Sequence, residues 1–236
     1  MQHTICNMQK QTPTKWGRLT ADLKTREQVA YEALRQAVIA GRWKPGESLV
    51  ISRIALDMGI SRIPVTNAVK RLASEGFLRV RPHQEAVVAP LIPAEIREIY
   101  LMRANLESLA VAEAARNITP DDLVDIRRLN EEIRTVSAAE DSTIEQIRTA
   151  DKAFHARIRE VANMPHLSQT LQNYADQCEY YRACLLDQHH FASPTPEGHE
   201  PLINALESRD IDQLQVLMKD HVLLGMHLIL NALEKS

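Results

Sequence analysis

The chain has 236 residues, 44% hydrophobic and 25% charged, which are the proportions of an ordinary globular protein with one large domain or two modest ones. Its three cysteines, Cys6, Cys178 and Cys184, are too few and too irregularly spaced for a disulfide framework or a thiolate zinc site. Unbroken apolar runs fall short of the roughly 18 residues that cross a bilayer, and the N-terminus lacks the apolar core of a signal peptide, so we expect a cytoplasmic protein.

The net charge of -3 conceals a division along the chain. Residues 1–90 carry 14 lysines and arginines against 7 aspartates and glutamates, whereas residues 91–236 carry 14 against 24. This division indicates a basic module that meets a polyanion and an acidic module with a different role.

The first part of the chain predicts an arm followed by two short helices. Residues 1–23 lack apolar periodicity, and we expect a flexible arm there. A first helix is predicted from about Arg26 to Ala40. A tight turn at Lys44–Glu47, where proline fixes φ and glycine accepts a positive φ, leads to a second helix that ends at Gly59.

A third helix and a hairpin complete this unit. Ser61 can cap the start of the helix and Gly76 closes it. Its buried positions recur at helical spacing: Val65, Ala68, Val69 and Leu72. Two short strands are predicted at Phe77–Arg81 and Ala86–Ala89. Three helices with a short turn between the last two, followed by a hairpin, predict a winged helix-turn-helix over residues 24–90.

With its apolar stripe buried, the third helix must present its polar residues outward. A helix fits the major groove of DNA, where arginine can read guanine and asparagine can read adenine. Basic residues on the preceding helix and in the hairpin, which include Arg79 and Arg81, add candidates for phosphate or minor-groove contacts. The predicted DNA-contacting residues are Arg53, Arg62, Thr66, Asn67, Lys70, Arg71 and His83. The alternative is a solvated basic face on a winged helix that binds protein.

Everything after the linker between Pro90 and Pro93 has helical periodicity. Helices are predicted at 93–116, 120–137, 142–162, 166–190, 196–208 and 211–233. Their start signals include Thr119–Asp122, Ser142 with Glu145, and Asp210. Six helices with short connections predict an antiparallel all-helical bundle over residues 91–236, and therefore a mainly α chain.

One acidic and three histidine side chains in the bundle can converge. Asp151 and His155 are four residues apart, on one face of a helix. His199 lies in the first turn of its helix. His221 falls within an apolar stripe of the last helix and should point inward; the stripe is Leu214, Leu217, Met218, Leu224 and Leu228. Such a set could ligate a divalent transition metal. The alternative is that each inward histidine is a hydrogen-bonded core residue.

The N-terminal module resembles the GntR family of bacterial regulators. The matching pieces are Ala40-Gly41-x3-Pro45-Gly46-Glu47-x-Leu49, then Gly59-Ile60-Ser61-Arg62-x-Pro64-Val65, then Arg71-Leu72-x3-Gly76-Phe77. Two positions depart from the family pattern. Thr66-Asn67 replaces the usual Arg-Glu, which implies a different operator, and Glu85 replaces a glycine near the wing tip, which places an acidic group near DNA.

The acidic module is similar to the FCD domain of FadR-type GntR regulators. The matching pieces are Tyr100-x2-Arg103-x3-Glu107, Asp151-x2-Phe154-His155, and His199-x3-Ile203-x-Ala205-x4-Asp210-x7-Met218-x2-His221. In the metal-binding branch of that family the corresponding aspartate and three histidines are ligands. The resemblance therefore implies one divalent ion per chain (zinc, nickel, manganese or iron) on Asp151, His155, His199 and His221. It also implies a homodimer, more often a repressor, on a pseudo-palindromic operator.

The charge of such a site predicts the kind of effector. A divalent ion, one aspartate and three neutral imidazoles leave one net positive charge in an apolar cavity, which a small carboxylate would cancel. Arg103 could clamp that carboxylate, although an ordinary ion pair with Glu107 is the alternative. We therefore predict a regulator, with no catalytic residues, that senses a small organic acid. A metal-dependent enzyme joined to a DNA-binding domain, and a regulator that senses the ion itself, remain alternatives.

Overall fold

The computed structural model describes residues 25–80, 85–185 and 196–235. The predicted arm at residues 1–23, together with Cys6, Arg81 and His83, lies outside the described residues. In the part of the chain that is described, nine helices and three short strands follow one another. The predicted fold class, mainly α with a winged helix-turn-helix followed by an antiparallel bundle of about six helices, is confirmed.

The winged-helix unit contains three helices and a small antiparallel sheet with strand order β1-β3-β2. Its elements are α1 (Arg26–Ile39), β1 (Ser48–Leu49), α2 (Ile51–Asp57), α3 (Arg62–Ser74), β2 (Leu78–Val80) and β3 (Ala86–Val88). Strand β1 was not predicted, because two residues are too few for a periodic pattern. It pairs with β3 through Ser48 opposite Val87, and Gly46, at φ +81°, makes the turn that leads into it.

The start of α3 differs from the prediction in one respect. Ser61 occupies the N-cap position, but its side chain makes no capping hydrogen bond. An N-cap hydroxyl accepts from the second or third helical N–H, and the third residue here is Pro64, which has no N–H. The predicted stripe is correct: Val65, Ala68, Val69 and Leu72 are all buried.

Six helices follow the linker, and their bounds lie within two residues of the predicted ones, except that the predicted end of the fourth helix, at residue 190, lies outside the described residues. They are α4 (Pro93–Asn117), α5 (Pro120–Ala138), α6 (Ile144–Ala162), α7 (Pro165–Leu185), α8 (Pro196–Ser208) and α9 (Ile211–Lys235). Thr119 and Asp122 form the expected capping box of α5. The capping box of α6 is Thr143 with Gln146, one residue later than predicted. Ser142 lies outside the helix, and its hydroxyl donates to the carbonyl of Ala139 at 3.0 Å.

Helix α9 packs along α4 in the antiparallel sense. The ring of Tyr100 lies against Gly225, and Arg209 donates to the carbonyl oxygen of Ile118 at 2.9 Å, at the other end of α4. Among the described residues, α9 is the one helix long and apolar enough to cross a bilayer by length and composition. Unbroken apolar runs did not reveal this, because Lys219 and Asp220 interrupt the sequence. Its contacts with α4 assign α9 to the bundle.

Candidate metal centre and nucleic-acid interface

Helix α6 carries two of the predicted ligands on its buried face. Asp151 and His155 are only 7% and 4% exposed, and between them Phe154 packs into the core. Their separation of four residues brings the Asp151 Oδ1 atom to 3.6 Å from the His155 Nε2 atom. The helical spacing read from the sequence is therefore correct.

Helices α8 and α9 bring the other two predicted ligands to the same place. The His199 Nε2 atom lies 3.5 Å from Asp151 Oδ1, and the His221 Nε2 atom lies 3.3 Å from His155 Nε2. One nitrogen from each histidine falls within 4.8 Å of the other two. The structure therefore brings all four predicted residues together, and we call them the His₃Asp cluster.

Three atoms of the His₃Asp cluster are buried without a hydrogen-bond partner among the described residues: Asp151 Oδ1, His199 Nε2 and His155 Nδ1. The first two lie 3.5 Å apart. A buried carboxylate oxygen and a buried imidazole nitrogen are normally satisfied, because an unsatisfied one costs about 1–3 kcal/mol. A divalent cation between them would satisfy both, and nitrogen and carboxylate donors are ligands that such ions accept. The residues present therefore fit a metal ion.

Asn130 on α5 fixes the orientation of the His199 ring through its Nδ1 atom. The Asn130 Nδ2 group donates to Glu200 Oε1 at 2.9 Å, so its Oδ1 atom faces His199 Nδ1, at 3.1 Å. Nδ1 must then carry the proton and donate, which leaves the lone pair of Nε2 directed into the cluster. The ring of Phe154 stacks on the other side, with centroids 4.2 Å apart.

Burial also sets the protonation of the cluster. It lowers the pKa of His199 to about 4 and, with the help of the neighbouring His199 ring, that of His221 to about 3. Burial and the neighbouring histidines hold the pKa of His155 well below its usual value. Burial raises the pKa of Asp151 to about 6, against the opposing effect of Arg182. At neutral pH the imidazoles are therefore neutral and the carboxylate is ionised, the forms that bind metals.

A cavity of about 290 Å³ opens beside the cluster. Its lining includes Asp151 and His155 of the cluster, three cationic side chains and two further acidic ones: Arg103, Lys152, Arg159, Asp176 and Glu179. Arg103 lies 3.5 Å from Glu107, so the alternative ion pair is present. Glu107, however, already accepts from Arg159 at 3.1 Å, and Arg103 Nε is buried without a hydrogen-bond partner among the described residues.

Sequence reasoning missed several residues that line this cavity or contact the His₃Asp cluster. Arg159 was within reach of it, since it lies four residues beyond His155 on the same helix. Asn130 and Asp176 gave no signal, because they come from other helices and their neighbours are distant in sequence. The link from Asn130 to His199, for example, spans 69 residues.

The predicted DNA-contacting residues on α3 have different surroundings. Arg62 and Lys70 are exposed. The Thr66 hydroxyl donates to the carbonyl of Arg62 at 2.9 Å, and Asn67 donates to Glu27 Oε2 at 2.9 Å.

The other predicted contacts are Arg53, Arg71 and His83. Arg53 on α2 is exposed and pairs with Asp57 at 3.1 Å. Arg71 turns toward α1, where its guanidinium lies 3.6 Å from the centre of the Tyr31 ring. It also lies 3.1 Å from Glu75, so both of these contacts are made within the winged-helix unit. His83 is outside the described residues.

Two models of known protein families match this chain. The model for bacterial regulatory proteins of the gntR family matches residues 26–88, and the FCD domain model matches residues 98–224. The chain belongs to the gntR family and carries an FCD domain. As predicted, this gntR-family protein is a DNA-binding transcriptional regulator rather than an enzyme, since the relatives it matches are regulators.

Two curated relatives and one solved structure define the similarity. The chain is 34% identical to the HTH-type transcriptional regulator McbR of Escherichia coli over 139 residues, 59% of this chain and 62% of McbR. It is 29% identical to the gluconate operon transcriptional repressor of Bacillus subtilis over 204 residues, 84% of this chain and 81% of that protein. The solved structure of E. coli McbR/YncC superposes with a TM-score of 0.72 at 25% identity, over 88% of this chain and 98% of McbR.

Proposed function

We propose that this gntR-family regulator is a homodimeric repressor whose operator affinity is controlled by a small carboxylate bound at a divalent metal ion. Residues 24–90 form the DNA-binding domain and residues 91–236 the effector-binding and dimerisation domain. The observation that carries the proposal is the His₃Asp cluster, whose unsatisfied Asp151 Oδ1 and His199 Nε2 atoms lie beside a cavity lined by cationic side chains.

The metal ion would be held by Asp151, His155, His199 and His221. Imidazole with one carboxylate suits zinc, nickel, manganese or iron. When bound, the ion supplies a positive centre that attracts an anionic oxygen. The chain's own residues hold it in place: Asn130 fixes the ring of His199, and Phe154 stacks against it.

Arg103 would bind the carboxylate of the effector. Its guanidinium is buried and lines the cavity. Its Nε–H makes no hydrogen bond among the described residues, and Glu107, 3.5 Å from that nitrogen, supplies the countercharge. A charge-assisted hydrogen bond from a buried guanidinium to a carboxylate contributes about 1.5–3 kcal/mol. The cavity of about 290 Å³ limits the effector to a small organic acid.

The DNA interface would be the outward face of α3, entering the major groove with flanking phosphate contacts. The contacting residues are Arg53, Arg62, Thr66, Asn67, Lys70, Arg71 and His83. Of the described ones, Arg62 and Lys70 fit this role best, because both are exposed and, unlike Arg53 and Arg71, neither forms an ion pair among the described residues. Two copies would read the two halves of a pseudo-palindrome, in the cytoplasm, where the chromosome lies.

Apolar side chains exposed on α4 and α9 support a homodimer. Because Tyr100 faces Gly225 and the helices are antiparallel, Leu101 lies level with Leu224. The same register places Leu109 level with Val216. These four side chains, which we call the α4–α9 stripe, are 40–62% exposed. Leu224 was predicted to be buried. It is exposed because α4 covers the middle of the apolar face of α9 and leaves the edge that carries Leu224 in contact with solvent.

Metal analysis of purified protein, followed by thermal-shift screening of small acids, tests the metal and effector parts. We expect one transition ion per chain, and acid-dependent stabilisation that disappears with His221→Ala but remains with His166→Ala, an exposed histidine outside the cluster. An acid at 100 times its dissociation constant adds about 2.7 kcal/mol. If the protein keeps its full thermal stability in a chelator, the four residues of the His₃Asp cluster are ordinary core residues and do not bind a metal. Operator release by metal alone would favour a regulator that senses the ion itself.

A further inference from the structure

Helix α7 lies between the cavity and the winged-helix unit and contacts both. Gln172, Asp176 and Glu179 line the cavity. Other residues of the same helix bind the winged-helix unit. Tyr180 donates to the carbonyl of Ala89 at 2.7 Å, and Asn173 donates to the carbonyl of Glu75, the C-cap of α3, at 3.3 Å. A group bound in the cavity therefore touches the helix on which the DNA-binding unit rests.

Asp176 contacts both the cavity and the winged-helix unit. Its carboxylate lines the cavity, is 7% exposed, and forms an ion pair with the guanidinium of Arg35 on α1. Arg35 in turn lies 3.4 Å from Glu75, and Glu75 accepts from Arg71 on α3 at 3.1 Å. This row of charges, Asp176–Arg35–Glu75, runs from the cavity to the end of α3. In such a partly buried setting charges interact more strongly than at the surface.

Asp176 also has the capacity to accept a further hydrogen bond. The two hydrogen bonds that it receives among the described residues, from Arg35 and from Gln172 at 3.1 Å, both end on Oδ2. Its Oδ1 atom therefore keeps lone pairs for a donor in the cavity. Glu179 differs, because Arg148 donates to one of its oxygens at 2.6 Å and Arg182 to the other at 2.9 Å.

We propose that the effector is a hydroxy-carboxylate whose hydroxyl donates to Asp176, and that this bond loosens the hold of Asp176 on Arg35 and so transmits occupancy to the winged-helix unit through α7. The proposal rests on the proposed function, which supplies the carboxylate end of the ligand. A hydroxyl suits Asp176 better than a second charged group, because Arg35 already neutralises the carboxylate.

Helix α4, which continues directly from the linker, is the competing route. Its ion pair with the winged-helix unit joins Arg79 to Glu95 at 2.6 Å, but both side chains are 43–49% exposed. An exposed pair of this kind contributes about 0–1 kcal/mol and is screened by salt. The Arg35–Asp176 pair is much better shielded, at 15% and 7% exposure, so its loss has the larger effect on how the two units dock.

The test uses the metal-loaded full chain, an operator selected from random DNA, and two six-carbon acids. D-Gluconate carries a hydroxyl on every carbon beyond its carboxylate, so it offers Asp176 a donor along its whole length. Hexanoate has no hydroxyl. The readout is the ratio of operator affinities with and without saturating acid. We expect at least a fivefold change with gluconate and less than twofold with hexanoate, since coupling factors of about 5–150 are usual.

Variants then separate the two routes. Arg35→Gln and Asp176→Asn, which break the same pair from opposite sides, should reduce the gluconate ratio to less than twofold. Glu95→Gln breaks the exposed pair on α4 and should leave the ratio at its wild-type value. A wild-type ratio in both Arg35→Gln and Asp176→Asn, or its loss in Glu95→Gln alone, would overturn the route through α7.

Other outcomes bear on the ligand. If hexanoate changes operator affinity as strongly as gluconate does, the effector does not need a hydroxyl. A wild-type protein insensitive to both acids would overturn the hydroxy-carboxylate class. In that case metal content and operator binding, measured on the same samples, would still report separately on the proposed function.

Discussion

The Oδ1 atom of Asn130 lies 3.1 Å from Nδ1 of His199, and this contact determines which nitrogen of the ring faces the His₃Asp cluster. Asn130 is fixed in turn by its donation to Glu200. A residue outside the His₃Asp cluster thus orients one of the imidazoles within it.

Removal of this contact should weaken metal binding. We expect Asn130→Ala to lower metal affinity by about 10–100-fold, because partners behind a ligating histidine commonly contribute that much. Asn130→Asp, which keeps an acceptor, should restore most of the loss. Competition with a chromophoric chelator measures the affinity. Asn105→Ala, at an exposed asparagine on α4, is the control, and an Asn130→Ala protein with wild-type affinity would show that the ring is held by packing alone.

Replacement of Arg103 should affect the effector without affecting operator binding. We expect Arg103→Ala to weaken binding of D-gluconate by roughly 10–150-fold, the equivalent of the 1.5–3 kcal/mol of a charged hydrogen bond. Operator affinity without acid should stay nearly intact, since Arg103 lies in the bundle. Titration calorimetry gives the acid affinity, with Arg97→Ala at an exposed arginine of α4 as control. Unchanged affinity would assign Arg103 to its ion pair with Glu107 only.

The two exposed cations of α3 should behave differently on DNA. If Arg62 reads a base, Arg62→Ala costs about 1–3 kcal/mol on the operator and relaxes specificity at one position. Lys70→Ala, a loss of a phosphate contact, should weaken all sequences alike and reduce the salt slope by about 1. Mobility-shift titrations at several salt concentrations give both quantities. Equal operator affinity for wild type and Arg62→Ala would exclude this end of α3 from base readout.

A charge placed on the α4–α9 stripe should separate the dimer. Leu224→Glu would bury a carboxylate in the proposed apolar contact, so we expect a monomer in sedimentation velocity at micromolar concentration. Val124→Glu is the matched control, because Val124 is 66% exposed on α5, away from the stripe. If Leu224→Glu stays dimeric, the two copies meet through another surface.

The sequence alone was sufficient wherever the deciding forces are local. Helix bounds follow from periodicity and caps, and Asp151 with His155 share a face because four residues make about one turn. The convergence of His199 and His221 on that pair was also predicted, from their positions on two further helices and from the family resemblance.

Only the tertiary structure decided which helices meet and which side chains are already engaged. Arg35 and Asp176 are 141 residues apart, and Arg71, an outward cation by helical periodicity, is held over the ring of Tyr31. Periodicity defines the buried face of each helix but not the neighbour that covers it, because neighbours are chosen by the fit of side chains across the whole core. For that reason the four residues of the His₃Asp cluster could be found in the sequence, whereas the position of α7 between the cavity and the DNA-binding unit could not.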